Sequence, residues 1–309
     1  MNLVILSLLS VAASATDAQS VENPVFQELL QKGIKMSDGT MVKLPPPIMA
    51  DGLDAAEQRA AISGVASARN SVKSILQKSF YAPVATKVRT VAKPSEGEGP
   101  AIRTVDLWFV VHGDWDTLTS EDFLESLVKG SGKSRMVSKS GILTEKEMIA
   151  RKLTATSREN YEERFVYTMF SLFDRVELSA TRRAVLTRGA ESVLAAAMVD
   201  ARFADDPDYP NQWRPLLRDA QAEIKPGPAH PFSGGGGYAK ITRLKEPAGA
   251  VFIECHLAYE EAFGWFDGAN LVKQKAPLMV REKVRTLRRK LGVASKKSAE
   301  ETKKPREAR

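Results

Sequence analysis

Ala250-Val251-Phe252-Ile253-Glu254-Cys255-His256-Leu257-Ala258-Tyr259 is the stretch that decides the fold class. Val251, Ile253, Cys255, Leu257 and Tyr259 recur at every second position, the period of a strand that turns one face to a core. Glu246-Pro247-Ala248-Gly249 just before it reads as a turn from a preceding strand. Downstream, Val280, Val284, Leu287 and Leu291 repeat at intervals of four, three and four. That stripe predicts an amphipathic helix over 277–291 seated on the same core.

Moving upstream, residues 162–203 read as a β-meander. One strand covers about 163–172 and turns at Phe173-Asp174. The next alternates Val176, Leu178, Ala180, Ala184 and Leu186 against Glu177, Ser179, Thr181, Arg183 and Thr187. A turn at Arg188-Gly189-Ala190 follows, with Gly189 expected at positive φ. The third strand, 191–203, is Ala-rich and helix-permissive, but its alternating neighbour needs a pairing partner. Residues 204–237 are rich in Asp, Pro and Gly and predict a loop with a short helix at 211–222.

In the N-terminal half, Val105, Leu107, Phe109 and Val111 mark a strand behind the 93–100 loop. Thr119 with Asp122 predicts one helix start, and Thr144 with Glu147 a capping box at another. Helical spacing between Leu53 and Phe80, interrupted at Gly64, makes 21–92 a helical arm packed on an α+β domain at 101–292. Residues 293–309 have no large apolar residue after Val293 and predict a disordered basic tail.

The fold class is therefore α+β, an antiparallel sheet of about six strands packed by helices that include a long C-terminal one. The element order resembles the helix-grip arrangement of START-like domains, in which a curved antiparallel sheet wraps the terminal helix and leaves a cavity between. No sequence motif accompanies that resemblance, and a plain α+β sandwich satisfies the same order.

The N-terminus carries an address. Leu3 to Val11 is an uncharged apolar run, followed by small residues at Ala13 and Ala15 and then polarity at Thr16 and Asp17. This predicts a signal peptide over 1–18, cleaved at the Ala13-x-Ala15 site, and an exported (periplasmic or secreted) mature chain. Its n-region carries no Lys or Arg. The run is too short for a spanning helix, which needs roughly 20 residues. The single cysteine, Cys255, excludes a fold held by intramolecular disulfides.

Basicity is local. Arg281 to Arg309 holds 12 Lys and Arg against 4 Glu, more than the whole chain's excess of +7. No aromatics suited to base stacking interleave these charges, which argues against nucleic acid. Anionic lipid or an envelope polymer is the expected partner of the basic C-terminus.

Candidate chemistry is sparse. Gly130-Ser131-Gly132-Lys133-Ser134 lacks the first glycine of a phosphate-binding loop, since Leu127 stands there. Asp106, His112, Asp114 and Asp116 cluster at a strand end and could supply metal ligands, or simply cap the next helix. His256 shares the non-core face of its strand with Glu254 and Glu260, an arrangement usable for proton transfer but expected on a solvated face. Serine-hydrolase and cofactor motifs are missing. Arg182 stands out because parity places it among Ala180, Ala184 and Leu186 on an apolar face. A charge turned into a core needs a partner or a polar-headed ligand. These readings favour an exported protein that binds an apolar, anionic ligand or the envelope, over an exported, metal-assisted hydrolase built on the His112 region.

Overall fold

The computed structural model describes residues 22–67, 70–92, 100–120, 137–218, 223–262, 265 and 271–303. The signal-like segment with Ala13 and Ala15, the helix expected after Asp122 and the Gly130–Ser134 stretch lie outside them. In chain order the elements are α1 (Pro24–Gln31), β1 (Ile34–Lys35), β2 (Met41–Val42), α2 (Ala55–Val65), α3 (Val72–Ile75), β3 (Ala85–Ala92), β4 (Ala101–His112), α4 (Trp115–Thr119), β5 (Val137–Ile142) and α5 (Glu145–Ala150). Then come β6 (Ser157–Arg158), β7 (Tyr161–Leu172), β8 (Val176–Arg188), β9 (Ser192–Val199), β10 (Gln212–Arg218), β11 (Ile224–Pro226), β12 (His230–Pro231), β13 (Gly235–Arg243), β14 (Ala250–Glu261) and α6 (Leu271–Lys303).

The molecule is α+β, with a mostly antiparallel sheet and a C-terminal helix. Among the described residues the main sheet has 12 strands rather than about six. The meander is present as β7, β8 and β9, and the Ala-rich third strand pairs along Arg182–Arg188 of β8. Its order then runs β9, β13, β14, β4, β3. The strands that sequence reading missed are β3, inside the expected helical arm, and pieces at the margins (β5, β6, β10, β11, β12), of which β6, β11 and β12 are too brief to show a period.

Other expectations change for local reasons. The helix expected at 211–222 is strand β10, because Pro215 falls inside it and would break a helix. The 93–100 loop does not separate an arm from a domain: β3 before it pairs with β4 after it. The rest of 22–80 is a layer on the sheet's outer face, with α2 running through Gly64 to Val65. Phe173 and Asp174 make the turn predicted for them, both at positive φ (53° and 54°). Gly189 makes its turn without a positive φ. The last helix extends beyond 277–291 at both ends, and residues 295–303 are helical rather than disordered.

Strand alternation creates two interiors. On the inner face, Val105, Leu107, Phe109, Val251, Ile253 and Leu257 meet Ala276, Val280, Val284 and Leu287 of α6. On the outer face, α1 and the β1–β2 hairpin cover β8, β9 and β13, while residues 48–53 with α2 and α3 cover β4 and β14. Caps fix this outer layer. Asn23 caps α1 by accepting from Phe26 N, and its Nδ2 donates to Val185 O of β8 at 3.0 Å. Asp54 and Glu57 close a capping box on α2, and Thr144 and Glu147 close the predicted one on α5.

Candidate functional site: an apolar cleft under Arg182

The inner face is not filled everywhere. Between β7, β8, β9, β13 and β14 it leaves a narrow cleft. Small residues make the hollow: Ala180, Ala197, Gly235 and Gly237 stand where larger side chains would fill it. Gly237 has a second reason to be glycine, since a Cβ there would sit 2.6 Å from His256 O. Phe232 and Trp265 close one side, stacked with ring centres 6.2 Å apart, and Trp213 meets Trp265 edge-on at 5.9 Å.

Arg182 is the charged side chain among the described lining residues. It is 4% exposed, and its Nη2 donates to Thr168 Oγ1 at 2.7 Å. Burial pulls its pKa down to about 10, so the guanidinium stays charged at neutral pH. Parity on β8 puts it there: its neighbours across the ladder are Val166 and Val199. The arrangement gives an apolar slot with a cation and a hydroxyl at its inner wall, the chemistry that holds an anionic end on an apolar body. Thr168, Phe232, Trp265 and the Gly235–Gly237 run were not legible as site residues. The glycines sit at the end of a segment that reads as loop.

The other candidates fall elsewhere. Asp106 and His112 share the outer face of β4, but six residues of strand put about 20 Å between them. His112 Nε2 lies 3.1 Å from Leu76 O, and burial lowers its pKa. Asp114 is the N-cap of α4, accepting from Thr117 N, and Asp116 is exposed in the first turn. Among the described residues no group of three His, Cys, Asp or Glu is placed to hold a metal ion. Cys255 is fully buried, which pushes its thiol pKa up and leaves it as packing.

His256 and Glu254 are not on a solvated face. Both are buried, at 1% and 0% exposure, beneath residues 45–51. His256 Nδ1 is 2.8 Å from Asp106 Oδ1, and its Nε2 is 3.4 Å from Glu254 Oε2. A ring with carboxylates at both nitrogens satisfies them only as imidazolium. Burial works against that charge, but the two carboxylates outweigh it and raise the pKa above 6.5. Arg89 pairs with Asp106 on one side. On the other, Ile48 N and Met49 N donate to Glu254 at 2.9 and 3.2 Å. Lys240 Nζ reaches Met49 O at 2.7 Å and Asp51 at 2.9 Å. Tyr238 OH donates to Pro45 O, and Ser37 binds Glu260. The acidic residues that suggested proton chemistry here hold a covering segment in place.

No family model matches the chain, and no curated protein matches it. Among solved structures, the crystal structure of human STARD10 is similar at 9% identity and a TM-score of 0.37, over 82% of this chain and 87% of that one. A likeness of that size carries neither fold nor function. No described helix is long and apolar enough to cross a membrane.

Proposed function

We propose that this chain is an exported binding protein that takes an apolar ligand with an anionic end into the cleft on the sheet's inner face, between β7, β8, β9, β13 and β14. The observation that supports it is the buried Arg182 beside Thr168 in a slot otherwise lined by apolar side chains and glycines. The helix-grip reading of the element order suits this use, because a sheet curved around one helix leaves room at its open end. A single-chain lipid is the ligand class: the slot is narrow, and one cation matches one carboxylate or phosphate head. The basic α6 adds a surface for anionic lipid or envelope polymer.

Titration of the purified protein with a fluorescent fatty acid tests the cleft. Binding by the unmutated protein, lost in Arg182→Met and in Ala197→Phe while both variants keep their unfolding transition, is the expected result. An unmutated protein that binds no fatty-acid or phospholipid probe ends the reading. Export is tested separately: N-terminal sequencing of protein recovered outside the cytoplasm should begin near Thr16 or Gln19. Recovery of the intact chain from the cytosol, with Met1 in place, rules export out.

A further inference from the structure

A second pocket lies on the opposite side of the molecule's chemistry, wide and polar where the cleft is narrow and apolar. It holds about 890 Å³ of empty space, open to solvent, between α6, Ser67, Asn70 and the segment at 80–84. Arg281, Arg285 and Arg288 line it at spacings of four and three, which place all three on one helix face.

Each arginine is held differently. Arg288 is 7% exposed, and its Nε and Nη2 both donate to Val110 O, at 3.0 and 2.8 Å, while its Nη1 donates to Ala82 O. The β3–β4 ladder begins with Ala85 opposite Trp108, so Val110 lies past its end. Arg288 ties the helix to backbone beyond that ladder, and its charge is met by carbonyl oxygens. Arg285 lies over the Tyr81 ring at 4.7 Å and pairs with Glu282 through Nη1 at 2.9 Å. Its Nε is buried and has no hydrogen-bond partner among the described residues. Arg281 is exposed at the mouth. Ser67 and Asn70 pair with each other through their backbones, which leaves hydroxyl and amide side chains as part of the lining.

We infer that this pocket binds a phosphate group in its dianionic form, a phosphomonoester, between Arg281 and Arg285. Two guanidinium forks with hydroxyl and amide donors match a tetrahedral dianion with several acceptor oxygens better than a planar monoanionic carboxylate. Arg288 contributes charge from behind without leaving its carbonyls. The one acidic side chain on this helix stretch, Glu282, is half exposed and binds only one edge of Arg285, so a dianion can displace or share it. The inference extends the reading of the basic helix as an anion-facing surface and is independent of the cleft.

Two probes separate the sources of such a group. Glycerol phosphate, titrated calorimetrically into the full chain, reports a soluble phosphomonoester. Cosedimentation with phosphatidylcholine vesicles doped with phosphatidic acid reports the same group on a membrane. Binding of both assigns the pocket to a lipid headgroup, and binding of glycerol phosphate alone assigns it to soluble compounds. In either case Arg281→Gln with Arg285→Gln should weaken binding by about tenfold or more, the scale of lost charge-assisted hydrogen bonds. Arg289→Gln with Lys290→Gln removes equal charge from exposed positions outside the lining and should change it little. Arg182→Met should leave it unchanged. Failure of both probes, or equal losses from the two double variants, overturns the inference. Vesicle binding lost only with Arg182→Met also overturns it and leaves the cleft reading standing.

Discussion

Along β14 the chain alternates between two different interiors. Val251, Ile253, Cys255 and Leu257 turn inward and meet the apolar stripe of α6, where contact is non-directional and exchangeable. One residue along, Glu254, His256 and Glu260 turn outward and are just as buried, but against the backbone of residues 37–49. The inner face tolerates a hollow because Ala and Gly can leave one. The outer face tolerates none of its partners being absent, because each buried charge is met by a specific donor or acceptor. Binding space therefore opens on the side where packing is forgiving, and the segment that must stay put is held on the other.

The largest effect should come from the outer face. Glu254→Ala strands Ile48 N, Met49 N and the imidazolium, and should cost about 3–5 kcal/mol in urea-induced unfolding. A loss below about 1 kcal/mol would show that the covering segment is not seated as described. On the inner face, Leu287→Ala should cost about 2–5 kcal/mol by the same measurement, the range for a buried leucine that leaves a cavity. Equal stability of variant and parent would mean that α6 is detached. Gly237→Ala forces β13 away from His256 O and should cost about 1–3 kcal/mol as an overpacked site, with Gly235→Ala milder.

The smallest effect is a pH dependence confined to the outer face. His256 is faced by Asp106, Glu254 and the Tyr238 ring, with Arg89 and Lys240 one partner further out. Its folded pKa is raised above the ordinary 6.5, so the folded state holds the proton more tightly. That stabilisation is fully present below the unfolded value and is lost as pH rises through the folded one. Unfolding free energy should fall over that alkaline interval in the parent, and the slope should vanish in His256→Asn. An unchanged slope in the variant assigns the titration to another group.

Much of the inner face was legible in the sequence. The period-two runs in β4, β8 and β14 and the helical stripe of α6 each report a buried side directly, and Arg182 was visible as a charge out of place in such a run. The outer face was not legible, because Glu254, His256 and Asp106 look like any solvated face when read along one strand. Glu254 is covered from 206 residues away and Asp106 meets His256 from 150 away, and no local period records either. Arg288 was hidden for the same reason. It counts among surface charges until Val110 O and Ala82 O are seen to hold it.

The distance in sequence between the covering segment and its seat also dictates timing. Ile48 waits for Glu254, 206 positions later, and Ser37 waits for Glu260, 223 positions later. During synthesis Ser37, Ile48 and Met49 emerge long before the carboxylates that hold them. They stay without those partners until β14 has been made, when more than four-fifths of the chain is already out. Contacts of such long range form slowly and late, so the step that locks this segment comes with the last strand, and a chain stopped before Ala250 lacks the carboxylates that hold residues 37–49.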